Sequence, residues 1–132
     1  MIHNWRSSLG LGIAVSVVAG SLAFAHHSTA GYDLDHMEDL AGTLKQVNWA
    51  NPHISFIIDT DAKDGPRSGT WAFEASSPGV LTRSGWTKRS IQPGDHAIFT
   101  FAPLRDGKPG GILRKVKLDN GTELSYSFMP VE

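Results

Sequence analysis

The chain has 132 residues and carries 12 Lys and Arg against 13 Asp and Glu, a formal net charge of −1 with neutral histidines. No strong attraction to nucleic acid or to an anionic membrane surface follows from this balance. The chain contains no Cys, which excludes disulfides and thiolate metal ligands, so any metal site must use His, Asp, Glu or the amino terminus.

The first 25 residues are typical of a secretory signal peptide. Arg6 supplies a positive charge, an apolar run follows, and Ala23 and Ala25 are the small residues that signal peptidase recognises. The run is shorter than the roughly 20 apolar residues of a membrane-spanning helix. We therefore predict cleavage after Ala25, a periplasmic or secreted protein, and no stable membrane span in the mature chain. Cleavage after Ala23 also satisfies the small-residue rule and stays an alternative.

Cleavage after Ala25 would make His26 the first residue of the mature protein. Its terminal amine and imidazole can then chelate one metal ion, and His27 can supply a second imidazole. With cleavage after Ala23, His26 would stand third and could bind copper(II) or nickel(II) through nitrogens of the terminus, the backbone and the ring. The alternative interpretation is that the two histidines simply begin a frayed tail.

Residues 26–39 show little periodicity and are predicted to form an extended N-terminal segment. Residues 40–132 are predicted to form a single domain, because their apolar residues alternate in short runs separated by turn residues. The predicted strands cover residues 40–49, with a bulge at Gly42, and residues 53–60, 70–75, 96–101, 112–118 and 122–128.

One short helix is predicted between the third and fourth of these strands. Ser77 is a candidate N-cap, Pro78 suits the first helical position, and Gly85 can adopt the left-handed conformation that ends a helix. Trp86 is expected to pack back on the strands. Five to seven strands with one helix in this place predict a mainly β fold, a small, partly open OB-like barrel, although a β-sandwich would give a similar pattern.

The whole pattern resembles the DUF6152 family of exported bacterial proteins of unknown function. The resemblance rests on motifs spread in order along the mature chain: His26-His27-Ser28, Tyr32-Asp33, Gly42, Val47-Asn48-Trp49, Asn51-Pro52-His53, Trp71, Glu74, residues 78–81, Gly85-Trp86, Pro93-Gly94-Asp95 and Asp119-Asn120-Gly121. Tyr32 departs from the Phe that this family usually has before Asp. The resemblance implies an exported single domain and assigns no activity.

The sharpest functional prediction is a copper or zinc site formed by His26, His27 and His53. Asp33 and Glu74 are candidates for hydrogen-bonding a ligating imidazole N–H. In the alternative interpretation, His53 braces the corner beside Pro52, Glu74 is exposed, and Asp33 has a capping or turn role. His36 and His96 are both predicted to be surface residues.

The sequence contains no Gly-x-Ser-x-Gly, Walker, dinucleotide-binding or His-Glu-x-x-His motif. A non-enzymatic protein is therefore favoured, although the enzyme question stays open. The second functional hypothesis is a non-catalytic envelope module, which binds a partner protein or small ligand through the barrel face and the loops at residues 61–69 and 106–111. No nucleic-acid partner is expected, because basic and aromatic residues do not interleave.

Overall fold

The structure, a computed structural model, describes residues 29–127 of the chain. A short 3₁₀ helix, Thr29–Gly31, precedes six strands and one α-helix. The strands are β1 Glu38–Asn48, β2 Ser55–Thr60, β3 Thr70–Glu74, β4 His96–Pro103, β5 Gly110–Leu118 and β6 Glu123–Ser125. Helix α1, Pro78–Arg83, follows β3. Within residues 29–127, no helix has the length and apolar character that crossing a bilayer requires.

Five of the six strands close into a barrel. β1 pairs antiparallel with β2 and β4, β2 pairs with β3, and β4 pairs with β5. A short parallel pairing between β3 and β5 closes the ring, and β6 extends the sheet beyond β5. This strand order, with a helix between β3 and β4, is that of an OB barrel, so the predicted fold class is confirmed.

The barrel interior is filled by one face of each strand, as the alternation predicts. On β3, Trp71 and Phe73 are buried. Phe73 packs against Phe101 of β4 with 4.7 Å between ring centroids, a separation typical of favourable aromatic pairs. The three residues of β4 that were predicted to share a face are all fully buried: Ala97, Phe99 and Phe101.

The predicted helix and its caps are confirmed. The Ser77 hydroxyl accepts a hydrogen bond from the Val80 N–H at 3.4 Å, which satisfies one of the backbone donors left free at a helix N-terminus. Gly85 has a φ of +90°, the left-handed conformation expected just after the helix. Trp86 is 1% exposed, and its indole N–H donates to the Ser125 carbonyl at 3.0 Å. Trp86 therefore connects the core to β6.

The predicted bulge at Gly42 is misplaced, because the register of β1 against β2 shifts between Leu44 and Gln46. Gly42 has another role. A Cβ atom at this position would lie 2.5 Å from the carbonyl oxygen of Asp59, so only glycine permits the two strands to approach so closely.

Two strand limits also differ from the prediction. β2 begins at Ser55 rather than His53, after a cis peptide bond between Asn51 and Pro52. The last strand is shorter than predicted, since β6 covers Glu123–Ser125, and Phe128 lies outside the described residues.

Candidate functional site

The segment before β1 is held against the end of β4. Tyr32 forms an antiparallel bridge with Leu104, and the Asp33 N–H donates to the Pro103 carbonyl at 2.8 Å. These backbone contacts bring residues 29–33 to the place where β4 leaves the barrel. The side chain of Tyr32 then extends over the outside of the neighbouring strands.

A cleft of about 310 Å³ lies on the outer surface of β2 and β3, and we call it the outer cleft. Its side chains come from alternate positions of these strands, those that point away from the buried Phe56 and Phe73. Six residues supply its outward-facing walls: Tyr32, Ser55, Ile57, Ala72, Glu74 and Leu104. The outer cleft therefore combines apolar walls with hydroxyl and carboxylate groups.

Glu74 and Tyr32 form the polar end of the outer cleft. The Tyr32 hydroxyl donates to Glu74 Oε2 at 3.2 Å. Burial of the phenol, and then the charge and hydrogen bond of Glu74, raise the pKa of Tyr32 to about 12. The phenol therefore stays protonated near neutral pH and acts as a donor toward the carboxylate.

His53 lies just before β2 and is half-buried. The pairing of β2 with β3 continues beyond the start of β2 and the end of β3, because the Ala75 N–H donates to the Ile54 carbonyl at 2.8 Å. Ile54 is fully buried, so alternation directs His53 to the outer surface. Since Ser55 is paired with Glu74, His53 is the diagonal neighbour of Glu74, at a typical separation of roughly 7–8 Å.

Asp33 is engaged elsewhere. Its carboxylate forms a hydrogen bond with the His36 ring Nδ1 at 2.8 Å and lies 3.8 Å from the Arg105 guanidinium. The hydrogen bond with His36 is the largest cause of the lowered pKa of Asp33, and the charge of Arg105 adds to it. Of the two predicted carboxylates, Glu74 is the one that lies diagonal to His53 in the strand pairing.

The predicted ligands His26 and His27 lie outside the described residues. Among residues 29–127, no three His, Asp or Glu side chains are grouped so as to hold a metal ion. His53 and Glu74 would thus need further ligands from elsewhere in the chain to complete a metal site.

A second polar cluster, which we call the His96 clamp, was not predicted from the sequence. The ring of His96, at the start of β4, contacts Asp119 through Nδ1 at 2.7 Å and Asp61 through Nε2 at 2.8 Å. Hydrogen bonds to Asp119 and then to Asp61 raise the pKa of His96, because both stabilise the imidazolium. The two carboxylates lie on opposite sides of the ring, so a single metal ion cannot be bound by all three groups.

One half of the His96 clamp could have been predicted. The predicted β4 and β5 form a natural antiparallel pair, and the register places Leu118 opposite Ala97, so Asp119 must lie next to His96. Asp61 carried no such signal, because its position depends on how β2 ends beside β1.

The fold and the outer cleft define a small closed OB-type barrel with a partly apolar ligand-sized cavity on its outer face. The chain belongs to the family described as "Family of unknown function (DUF6152)", which matches residues 14–115, and the resemblance found from the sequence is confirmed. No curated protein and no solved structure matches the chain.

Proposed function

We propose that this protein is an exported barrel that binds a transition metal, copper foremost and zinc second, through a processed N-terminus. Cleavage after Ala25 releases a terminal amine on His26. That amine and the imidazoles of His26, His27 and His53 form the ligand set, and Glu74 accepts a hydrogen bond from a ligating imidazole.

The observation that carries the proposal is the attachment of residues 29–33 beside the outer cleft. The Tyr32 N–H donates to the Thr29 carbonyl at 3.0 Å, so Thr29 lies one turn from a residue that lines this cleft. An extended chain spans at most about 3.6 Å per residue, which puts His26 within about 10 Å of Thr29. This limit keeps the N-terminal imidazoles near Thr29, and the proposal requires them to approach the strand ends that carry Glu74 and His53.

The chemistry of this ligand set favours copper. A terminal amine with neutral imidazoles is a nitrogen donor set, and divalent copper leads the usual order of affinities for such donors. Both kinds of ligand must lose a proton before they bind, so affinity is expected to fall as pH drops through the imidazole range. A hydrogen bond from an imidazole N–H to Glu74 would orient the ring and raise its basicity.

The test begins with protein whose first residue is shown by intact mass spectrometry to be His26. Titration with copper, in competition with a chromogenic chelator, is expected to give one site with a dissociation constant below micromolar. The double variant His26→Ala, His27→Ala should bind at least about tenfold more weakly, since loss of an imidazole ligand costs more than one charge-assisted contact. His53→Ala should weaken binding as well.

His96→Gln is the matched control, because His96 lies at the start of β4 and the outer cleft lies beside the end of that strand. The two ring nitrogens of His96 form hydrogen bonds with Asp119 and Asp61. Its copper affinity should equal that of the wild-type protein. Binding no tighter than micromolar, or an extra N-terminal tag that leaves the affinity unchanged, would overturn the proposal.

The outer cleft supports a second candidate function, a non-catalytic module that binds a partner or small ligand on the barrel face. Gly111, at the end of the loop at residues 106–111, borders the cleft, whereas residues 61–69 do not line it. This function requires that binding survive a chelator and the double variant His26→Ala, His27→Ala. Loss of binding under either condition would instead favour the metal site.

A further inference from the structure

We propose that the outer cleft binds a primary organic ammonium ion with a short apolar body. The inference rests on the second candidate function, a ligand-binding module, and does not require the metal site, which would use the same Glu74 carboxylate. It assigns the cleft a ligand class from the direction of its hydrogen bonds, its charge and its size.

The hydrogen-bond direction at the polar end leaves acceptors for a ligand that donates. Tyr32 uses its O–H proton on Glu74 Oε2, 3.2 Å away, and its raised pKa keeps that proton in place. The Glu74 carboxylate can only accept, and the phenol oxygen keeps lone pairs. Ser55 stands directly opposite Glu74 in the register of β2 and β3, so a hydroxyl lies next to these acceptors. An ammonium group offers three N–H donors to such a site.

The charge of the outer cleft also favours a positively charged ligand. Glu74 is the one ionisable acid in its lining, and no Lys or Arg lines it among the described residues. The Arg105 guanidinium lies 3.8 Å from the Asp33 carboxylate. A cation entering the cleft therefore meets the Glu74 carboxylate, whereas a carboxylate or phosphate ligand would meet like charge.

The rest of the outer cleft is apolar and small. Ile57 and Ala72 are paired neighbours across β2 and β3, and Leu104 faces them from the segment after β4. A volume of about 310 Å³ is at the lower end of the range for small-molecule pockets, roughly 300–1,000 Å³. A linear chain of a few methylene groups fits these walls when its ammonium group contacts Glu74.

The experiment is an amide NMR titration of labelled mature protein with hexylammonium chloride, in the presence of a chelator so that no metal contributes. Hexylammonium should shift the amides of Ser55, Ile57, Ala72 and Glu74 in a saturable way. Hexanoate should not, and neutral hexanol should bind more weakly.

Glu74→Gln removes the charge while keeping the shape and should weaken hexylammonium binding by about tenfold or more, the size of one charge-assisted hydrogen bond. Glu123→Gln is the control, because Glu123 is an exposed carboxylate on β6, and it should bind as the wild type does. Ala72→Phe fills the cleft from an exposed position and should also abolish binding, which provides a test if Glu74→Gln fails to fold.

The outcomes distinguish failure of the ammonium proposal from failure of the second candidate function. If hexanol or hexanoate shifts the same amides as strongly as hexylammonium does, the ammonium proposal is wrong, while a ligand-binding cleft stands. If none of the three shifts these amides, both the ammonium proposal and the small-ligand function of the cleft are overturned. Equal affinities of the wild type and Glu74→Gln would likewise contradict the proposal.

Discussion

Two polar regions at opposite ends of β4 differ in how their ionisable groups are partnered. In the His96 clamp, both ring nitrogens contact carboxylates at 2.7 and 2.8 Å. In the outer cleft, the Tyr32 hydroxyl donates to Glu74 at 3.2 Å. The first arrangement uses its hydrogen-bonding capacity to connect parts of the barrel, whereas the second keeps acceptor capacity at the edge of a cavity. Both regions border a cleft, of about 370 Å³ at His96 and Asp119 and of about 310 Å³ at Glu74, so they differ in how their ionisable groups are partnered and not in access to a ligand.

The largest effect is expected where the backbone approaches most closely, at the border of the outer cleft. A Cβ atom on Gly111 would lie 2.2 Å from the Ala102 carbonyl oxygen and 2.7 Å from the Phe101 ring. Gly111→Ala should therefore lower the free energy of unfolding by about 3 kcal/mol, as overpacking of a rigid site does. Urea denaturation measures this change.

Gly31→Ala is its matched control, because a Cβ atom there would meet nothing within 4 Å. The change in unfolding free energy should stay within about 0.5 kcal/mol. Equal midpoints for the two variants would show that β4 and β5 can separate at Gly111 without cost.

The next effect is the pH dependence supplied by the His96 clamp. Its raised pKa means that the folded state binds a proton more tightly than the unfolded chain does. The stabilisation is complete below the ordinary histidine pKa of about 6.5 and is lost as pH rises through the higher folded value. Because the groups are substantially exposed, solvent screening limits the effect to about 1 kcal/mol.

Comparing wild type with His96→Gln by urea denaturation at pH 6 and pH 9 tests this. The wild type should be the more stable at pH 6, and the difference should shrink at pH 9 and in high salt. His36→Gln is the control for removal of an imidazole, since the His36 ring contacts one carboxylate, that of Asp33, and not two. A difference that grows with pH would contradict the assignment.

The smallest effect is expected at the polar end of the outer cleft. Tyr32→Phe removes the hydrogen bond to Glu74 and keeps the ring, so the free energy of unfolding should fall by only about 0.5–1 kcal/mol. Thermal unfolding followed by circular dichroism provides the measurement. A loss above that of Gly111→Ala would mean that Tyr32 holds the N-terminal segment in place. The expected order of these two variants would then be reversed.

Most of the fold could be predicted from the sequence, because its signals are local. Alternating burial placed Trp71 and Phe73 on one face of β3, and Ser77, Pro78 and Gly85 marked both ends of α1. The bulge was misplaced because a glycine inside a strand indicates either a bulge or a close backbone approach, and Gly42 has the second role.

The site was harder to predict because it depends on distant pairings. Glu74 was identified, but its partner Tyr32 is 42 residues away and reaches it only because the N-terminal segment folds along β4. His96 was treated as a surface residue because Asp61 and Asp119 approach it from two different connections. The copper or zinc site of His26, His27 and His53 stays a prediction.

The closure of the barrel has a consequence for the outer cleft. Only three residue pairs join β3 to β5, Ala72 with Gly110, Phe73 with Gly111 and Glu74 with Ile112, so this seam is the shortest pairing of the five that form the ring. The outer cleft lies across the seam, since Ala72, Glu74 and Gly111 all line it. Anything bound there touches both sides of the seam and slows its opening, so hydrogen exchange at these amides would report occupancy of the cleft and closure of the barrel together.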